Sequence, residues 1–188
     1  GIPYQKYEQQ PRLDIAAVAK GFDARIQAFA RESGYKGQFL IEPGRYISAE
    51  CGLLLGSVYN TKNNGPTRFV GTDLGFNTLM RPVLYGSFHD IEVYRQNAGP
   101  DKNLAPQTLV GNICESGDIL AKDRELPEMK IGDMLAALDA GAYGYVMSSS
   151  YNQRLRPAEV LIDECGNDSL IRRRETLEDL LHLTPVDL

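Results

Sequence analysis

Two charged residues, Glu42 and Arg45, stand at the end of a short apolar run and are candidates for a reaction site. The run covers residues 38–42, and Pro43 and Gly44 follow it, a pattern that predicts a buried strand ending in a loop. In α/β barrels the carboxyl ends of strands carry the catalytic side chains. An arginine there can bind a carboxylate or a phosphate through two parallel hydrogen bonds. An ordinary ion pair within a loop is the alternative that this spacing leaves open.

A second group of reactive side chains lies in the sequence Cys-Glu-Ser-Gly-Asp at residues 114–118. It places a thiol, Cys114, near two carboxylates, Glu115 and Asp118, directly after an apolar run. A thiol with an ordinary pKa of about 8.5 can deliver a proton at neutral pH. A buried structural cysteine followed by a polar turn is the alternative.

Two further segments combine a tyrosine with features that suit the binding of an anion. Arg81 and Tyr85 are four residues apart, which would bring both side chains together on one helical turn that begins at Pro82. Tyr143 has small residues on both sides, which would let the backbone approach a ligand while the hydroxyl reaches a phosphate. A surface charge beside a core tyrosine, and aromatic packing within a strand, are the ordinary alternatives.

Hydrophobic spacing indicates which elements would position these residues. Residues 13–33 carry apolar side chains at helical spacing and end at Gly34, which predicts one amphipathic helix. Helical spacing returns at residues 134–139 and 175–183. Short apolar or alternating runs between turn-rich segments predict a mostly β domain. These runs lie at residues 53–59, 68–72, 91–94, 108–114 and 143–148.

The composition is that of a globular protein, with 43% hydrophobic residues, 24% charged residues and a formal net charge of −5. Its basic residues are scattered, so no nucleic-acid-binding surface is predicted. No apolar run reaches the roughly 18 residues that span a bilayer, so no membrane association is predicted. Three cysteines without a close pair favour free thiols and a cytoplasmic location. His89 and His182 lack neighbours at ligand spacing, so both are assigned to structure and no metal site is predicted.

In this order and at these separations, the four segments resemble the C-terminal half of the diaminopimelate, ornithine and arginine decarboxylase family, whose cofactor is pyridoxal 5'-phosphate (PLP). Residues 1–4 resemble the sequence just after that family's glycine-rich phosphate loop, so the chain is expected to start within a longer protein. The resemblance implies a mixed α/β, mostly β fold. Residues 1–45 would be the last βα unit of a TIM-type barrel, and residues 46–188 a C-terminal Greek-key β-barrel or sandwich domain.

Within the family, residues 114–118 and 81–85 together are similar to the diaminopimelate branch. The resemblance therefore implies the conversion of meso-2,6-diaminopimelate to L-lysine and carbon dioxide. Leu155 stands where the resemblance predicts a proline, a small difference that does not alter the assignment to this branch.

The resemblance also implies which residues hold the cofactor. Glu42 would pair with the protonated pyridine nitrogen of PLP, which keeps the ring able to accept electrons. Gly44, Arg45 and Tyr143 would lie at the cofactor, with Arg45 and Tyr143 also reaching the substrate.

Roles in substrate binding and proton transfer follow from the same resemblance. Arg81 and Tyr85 would hold the distal carboxylate of diaminopimelate, and Glu115 its distal ammonium group, which is specificity by charge complementarity. Cys114 would be the acid that reprotonates the α-carbon after decarboxylation. In this family that cysteine reaches the partner subunit's site, which implies a homodimer with shared active sites.

The lysine that binds PLP covalently precedes residue 1 in the family's order of motifs. The isolated chain is therefore expected to be inactive unless an N-terminal barrel segment accompanies it. Two alternatives stay open: a related decarboxylase acting on D-ornithine, D-lysine or a carrier-bound amino acid, and a non-catalytic decarboxylase-like binding protein.

Overall fold

The structure, a computed structural model, describes residues 2–3, 10–95 and 103–185. Residues 1 and 4, which belong to the first segment of the resemblance, lie outside these ranges. Ile2 is buried and packs with Ala49 and Ala142. None of the described helices is both long enough and apolar enough to cross a membrane.

The first helix, α1 (Ile15–Ser33), begins and ends at residues suited to those positions. The Asp14 carboxylate accepts a hydrogen bond from the backbone N–H of Ala17 at 2.9 Å, which satisfies an otherwise free amide of the first turn. Gly34 follows the last turn with φ of 70°, a left-handed conformation that glycine adopts without a Cβ clash. The helix predicted for residues 13–33 is confirmed. None of its side chains is buried.

The strand predicted for residues 38–42 is wrong. These residues form neither strand nor helix and are exposed, and Leu40 and Ile41 keep 86% and 75% of their surface accessible. Among the described residues no strand lies beside them, and a β conformation needs a neighbour to accept and donate its backbone hydrogen bonds. A short helix, α2 (Gly44–Ser48), and a 3-10 turn (Ala49–Cys51) follow.

A six-stranded sheet makes up much of the chain after residue 53. Its strands are β1 (Leu54–Asn64), β2 (Thr67–Thr72), β3 (Ile91–Tyr94), β4 (Leu104–Val110), β5 (Ile119–Pro127) and β6 (Met134–Ala137). They are ordered β3-β6-β1-β2-β4-β5, and all neighbours are antiparallel except β2 and β4, which run parallel. The runs predicted at residues 53–59, 68–72 and 91–94 are confirmed as β1, β2 and β3. A short helix, α3 (Arg81–Tyr85), lies between β2 and β3.

The edge strands β3 and β5 approach each other, so the sheet is nearly closed. Arg124 on β5 donates a hydrogen bond to the backbone carbonyl of His89 at 3.1 Å and pairs with Asp90 at 3.4 Å. Its guanidinium also lies 3.5 Å from the centre of the Phe88 ring. The sheet encloses an apolar core in which Val70, Leu109, Met129 and Leu135 are fully buried, and each such side chain stabilises the fold by about 1.5–3 kcal/mol.

Two other sequence predictions are corrected by the structure. Residues 134–139, predicted as a helix, contain β6, because this short apolar run fits either element and its pairing with both β1 and β3 decides the outcome. Residues 143–148, predicted as an apolar run of the β domain, form turns and a 3-10 turn (Tyr145–Met147), since Tyr143 has φ of 60°, which no strand accommodates. The run predicted at residues 108–114 is a strand only as far as Val110.

The C-terminal part forms a hairpin and a short helix. The hairpin consists of β7 (Glu159–Ile162) and β8 (Asp168–Arg172), and a 3-10 turn (Tyr151–Gln153) precedes it. Helix α4 (Leu177–Leu181) lies within the predicted segment 175–183 and begins with a capping box formed by Thr176 and Asp179. The mostly β, mixed fold is therefore confirmed.

Candidate functional site

A one-turn helix, α3 (Arg81–Tyr85), carries the arginine and tyrosine predicted to share a helical turn. Pro82 stands in its first turn, where a missing N–H costs nothing. Gly86 ends it with φ of 62° and donates its N–H to the carbonyls of Arg81 and Pro82. As predicted from the spacing, the side chains meet: the guanidinium carbon of Arg81 lies 5.0 Å from the centre of the Tyr85 ring.

Tyr143 lies against the backbone of Gly44. A Cβ at Gly44 would lie only 2.2 Å from the Tyr143 hydroxyl, so no larger residue fits unless the tyrosine moves. A Cβ at Gly141 would lie 2.1 Å from the carbonyl oxygen of Ser48, so the two segments are in close backbone contact there as well. Glycine at these two positions therefore permits the approach of Tyr143 to α2.

Two arginines from separate segments meet at the Tyr143 ring. The guanidinium carbons of Arg81 and Arg45 lie 5.3 Å and 5.9 Å from its centre. We call Arg45, Arg81, Tyr85 and Tyr143 the arginine–tyrosine cluster. The Nε atom of Arg81 is buried and has no hydrogen-bond partner among the described residues. Two guanidiniums and two phenols in one place provide the charge and the donors that bind a carboxylate or a phosphate.

The Cys-Glu-Ser-Gly-Asp segment forms a loop beside α3. Gly117 lies so close to this helix that a Cβ would be in contact with Val83 at 3.6 Å. Cys114 and Glu115 are both exposed on the loop. Within the described residues neither side chain is bonded to the arginine–tyrosine cluster; the Glu115 carboxylate accepts the Gly117 N–H at 3.3 Å.

Asp118 holds this loop in place, a role that the sequence analysis did not assign. Its two carboxylate oxygens accept the backbone N–H groups of Phe76 at 2.7 Å and Ile113 at 2.9 Å. The side chain therefore joins the segment that leads into α3 to the segment that leads into Cys114. Burial raises the pKa of Asp118, although both hydrogen bonds favour the charged form. The sequence feature that could have indicated this role is the place of Asp118 at the end of the Cys-Glu-Ser-Gly-Asp motif.

Replacing Asp118 with asparagine is expected to lower the free energy of unfolding by about 1–3 kcal/mol, because the amide can accept only one of the two N–H groups. Burial disfavours the charged carboxylate more than the two hydrogen bonds favour it, so the pKa of Asp118 is raised in the folded protein. The wild type therefore loses stability as pH rises through that pKa, whereas asparagine does not titrate. The difference between wild type and variant should therefore be larger at pH 4.5 than at pH 7.5 in urea titrations. Asp168→Asn, at an exposed position on β8, is the matched control. A smaller difference at the lower pH contradicts the prediction.

Glu42 is exposed in the segment before α2. Its backbone carbonyl accepts the Gly44 N–H at 2.9 Å. No hydrogen bond or ion pair joins its carboxylate to the cluster in the part of the chain that the structure describes. Its predicted role rests on the family resemblance and stays a prediction.

Both histidines make the structural contacts expected of them. His89 is buried, with Nδ1 2.7 Å from the Leu138 carbonyl, to which it donates. Burial lowers the pKa of His89, so the ring is held neutral at pH 7. His182 is exposed at the end of α4, with Nδ1 2.6 Å from the Asp179 carbonyl.

Comparison with known proteins identifies the family. A family model described as "Pyridoxal-dependent decarboxylase, C-terminal sheet domain" matches residues 16–141. The chain belongs to this family of pyridoxal-dependent decarboxylases. The resemblance seen in the four motifs is thereby confirmed.

Several relatives of this decarboxylase-family chain are named diaminopimelate decarboxylase. The one from Methanothermobacter thermautotrophicus is 45% identical over 182 residues, which are 96% of this chain and 41% of that protein. A crystal structure of a diaminopimelate decarboxylase superimposes with a TM-score of 0.89 at 38% identity, covering 100% of this chain and 46% of the other. The Helicobacter pylori enzyme in complex with L-lysine has a TM-score of 0.79 at 37% identity, covering 94% and 41%. The chain thus spans less than half the length of these relatives.

Proposed function

We propose that the protein containing this chain is a PLP-dependent carboxy-lyase that converts meso-2,6-diaminopimelate to L-lysine and carbon dioxide. The observation that carries the proposal is the meeting of Arg45, Arg81, Tyr85 and Tyr143. Family membership supports the reaction type, and the arginine–tyrosine cluster supports a substrate with an additional negative charge.

The residues around Gly44 fit the phosphate of PLP. Gly44 allows the Tyr143 hydroxyl to lie on the backbone, and Arg45 brings a guanidinium to the same ring. Gly44, Arg45 and Tyr143 would therefore hold the phosphate, and Glu42 would pair with the pyridine nitrogen. When bound, the cofactor supplies an electron sink for the pair left behind as carbon dioxide departs.

The substrate is recognised by charge. Arg81 and Tyr85 offer a guanidinium and a phenol to the distal carboxylate, with Arg45 and Tyr143 beside them. Glu115, on the loop beside α3, offers a carboxylate to the distal ammonium group. A substrate end that carries both charges needs partners of both signs, which disfavours amino acids without a second carboxylate.

Cys114 delivers the proton that replaces carbon dioxide at the α-carbon. Its exposure on a loop that Asp118 holds against α3 leaves the thiol accessible to a neighbouring subunit. A homodimer with shared active sites would bring each Cys114 to its partner's site. Residues 1–45 would complete a PLP-binding α/β barrel in this assembly, and residues 46–188 would form the C-terminal domain.

The test uses the full-length protein, by which we mean this chain preceded by the segment that its relatives carry before the matched region. Purified protein is mixed with PLP, its absorbance is recorded, and carbon dioxide release from meso-diaminopimelate is measured. A cofactor band together with carbon dioxide release is the expected result. A band with release only from D-ornithine or D-lysine would overturn the substrate, and a folded protein without a band would favour a non-catalytic binding protein.

A further inference from the structure

The ring of Tyr145 is in contact with two arginines of the C-terminal part of the chain. The guanidinium carbon of Arg172, at the end of β8, is 4.2 Å from the ring centre, and that of Arg156, before β7, is 5.3 Å away. Such distances are those of cation–π contacts. Tyr145 itself follows Tyr143 by two residues, so the contacts join the hairpin to the segment that carries a cluster residue.

Both arginines already have carboxylate partners. Glu175 accepts from the Arg156 backbone N–H at 2.8 Å and from its Nε at 2.5 Å, and this pairing lowers the pKa of Glu175. Arg172 is paired with Glu159 across the hairpin. These guanidiniums are therefore not an open anion site. The carboxylates of Glu175 and Glu159 hold the two guanidiniums in the positions from which they contact Tyr145.

Tyr143 needs support from its neighbours in the chain. It has a left-handed backbone with φ of 60°, which is unfavourable for a residue with a Cβ, and the residue is 38% exposed. Gly44 and Gly141 leave room for Tyr143 on the side that faces α2. On the other side the chain passes through Gly144, which has φ of −80° and ψ of −88°, and reaches the anchored ring of Tyr145.

We propose that Tyr145, held by cation–π contacts with Arg156 and Arg172, is a positioning residue that fixes the orientation of Tyr143 in the arginine–tyrosine cluster. The C-terminal hairpin thereby sets the geometry of a cluster to which it contributes none of the four residues. This inference rests on the proposed function only for the identity of the substrate, meso-diaminopimelate, that binds near Tyr143. The contacts that carry it are independent of that function.

The activity test compares four variants of the full-length protein. Tyr145→Leu and Arg172→Met should each raise the KM for meso-diaminopimelate by about fivefold, with kcat changed by less than about twofold, because the cation–π contacts are lost while the chemistry is intact. Tyr145→Phe keeps the ring and loses only the hydroxyl that interacts with Arg172, so its KM should stay within about twofold of the wild-type value. Arg173→Met is the matched control, since Arg173 pairs with Asp179 at 2.6 Å and makes no ring contact with Tyr145 among the described residues.

A double-mutant cycle shows whether the effect passes through Tyr143. In a Tyr143→Ala background, Tyr145→Leu should change KM by less than about twofold, because coupled residues are not additive. A full fivefold effect in that background would overturn the proposal. An equal rise in KM in Arg173→Met and Arg172→Met would overturn the proposal as well.

Amide hydrogen exchange supplies a readout that does not need activity. Exchange within residues 141–147 should be at least about fivefold faster in Tyr145→Leu and Arg172→Met, and unchanged in Tyr145→Phe and Arg173→Met. Strands β1 and β2 should be unaffected. If wild type fails to decarboxylate diaminopimelate but exchange follows this pattern, the proposed substrate is wrong and the positioning contact stands. Unchanged exchange in Tyr145→Leu would disprove the positioning contact.

Discussion

Replacing Cys114 with alanine is expected to lower the kcat for decarboxylation of meso-diaminopimelate by about 100-fold or more, with PLP still bound. A positioned proton donor contributes about 10²–10⁴-fold to rate, and alanine has no proton to give. The thiol is exposed on a loop held by Asp118, so its removal leaves no buried cavity. The kcat and the cofactor absorbance of the full-length protein are the measurements that check this.

The other two cysteines provide the controls for this prediction. Cys51 and Cys165 are also free and exposed, so Cys51→Ala and Cys165→Ala test the loss of a thiol elsewhere. Both should retain the wild-type kcat. Cys114→Ser should be nearly as slow as Cys114→Ala, because a hydroxyl is a far weaker acid than a thiol. A Cys114→Ala variant with wild-type kcat would exclude Cys114 as the proton donor.

Replacing Arg81 with methionine is expected to lower kcat/KM for meso-diaminopimelate by about 10- to 100-fold. Hydrogen bonds to a charged partner are worth about 1.5–3 kcal/mol, and about 1.4 kcal/mol corresponds to a factor of ten. Methionine keeps an apolar stem against Tyr85 and Tyr143, so the packing of the rings is largely preserved. Steady-state kinetics should show that most of the loss lies in KM, because the distal carboxylate is bound equally before and during reaction.

Two comparisons separate this loss of recognition from a general disturbance. Arg154→Met is the control, since Arg154 is an exposed arginine that donates to the Asn112 carbonyl at 3.0 Å and makes no ring contact with Tyr85 or Tyr143 among the described residues. It should keep the wild-type KM. Arg81→Lys should be intermediate, because lysine keeps the charge but lacks the planar fork that binds a carboxylate with two bonds. An unchanged KM in Arg81→Met would show that the distal carboxylate binds elsewhere.

Local signals were sufficient for several elements of the fold. Asp14 and Gly34 delimit α1, and Pro82 marks the start of α3, because caps and proline act within one turn of the chain. The alternating runs of β1, β2 and β3 were also visible, since a half-buried strand shows its two faces in the sequence.

The errors occur where partners distant in the chain decide the conformation. Residues 38–42 have the composition of a buried strand, yet no described strand pairs with them. Residues 134–137 have a run compatible with a helix, yet β1 and β3 pair with them on both sides. Hydrogen bonding between strands is non-local, so a short apolar run cannot reveal it.

Taken by itself, the sequence determined the family, because the order and spacing of four motifs are properties of the chain that folding does not alter. It also identified Arg45, Arg81 and Tyr143 as chemically suited to anions. Only the tertiary structure decided that Arg45 and Arg81 meet at the ring of Tyr143. It also decided that Asp118 and Tyr145 contact the segments around this cluster. Contacts between distant segments depend on packing and on backbone conformations such as the left-handed φ of Tyr143, and neither leaves a pattern in neighbouring residues.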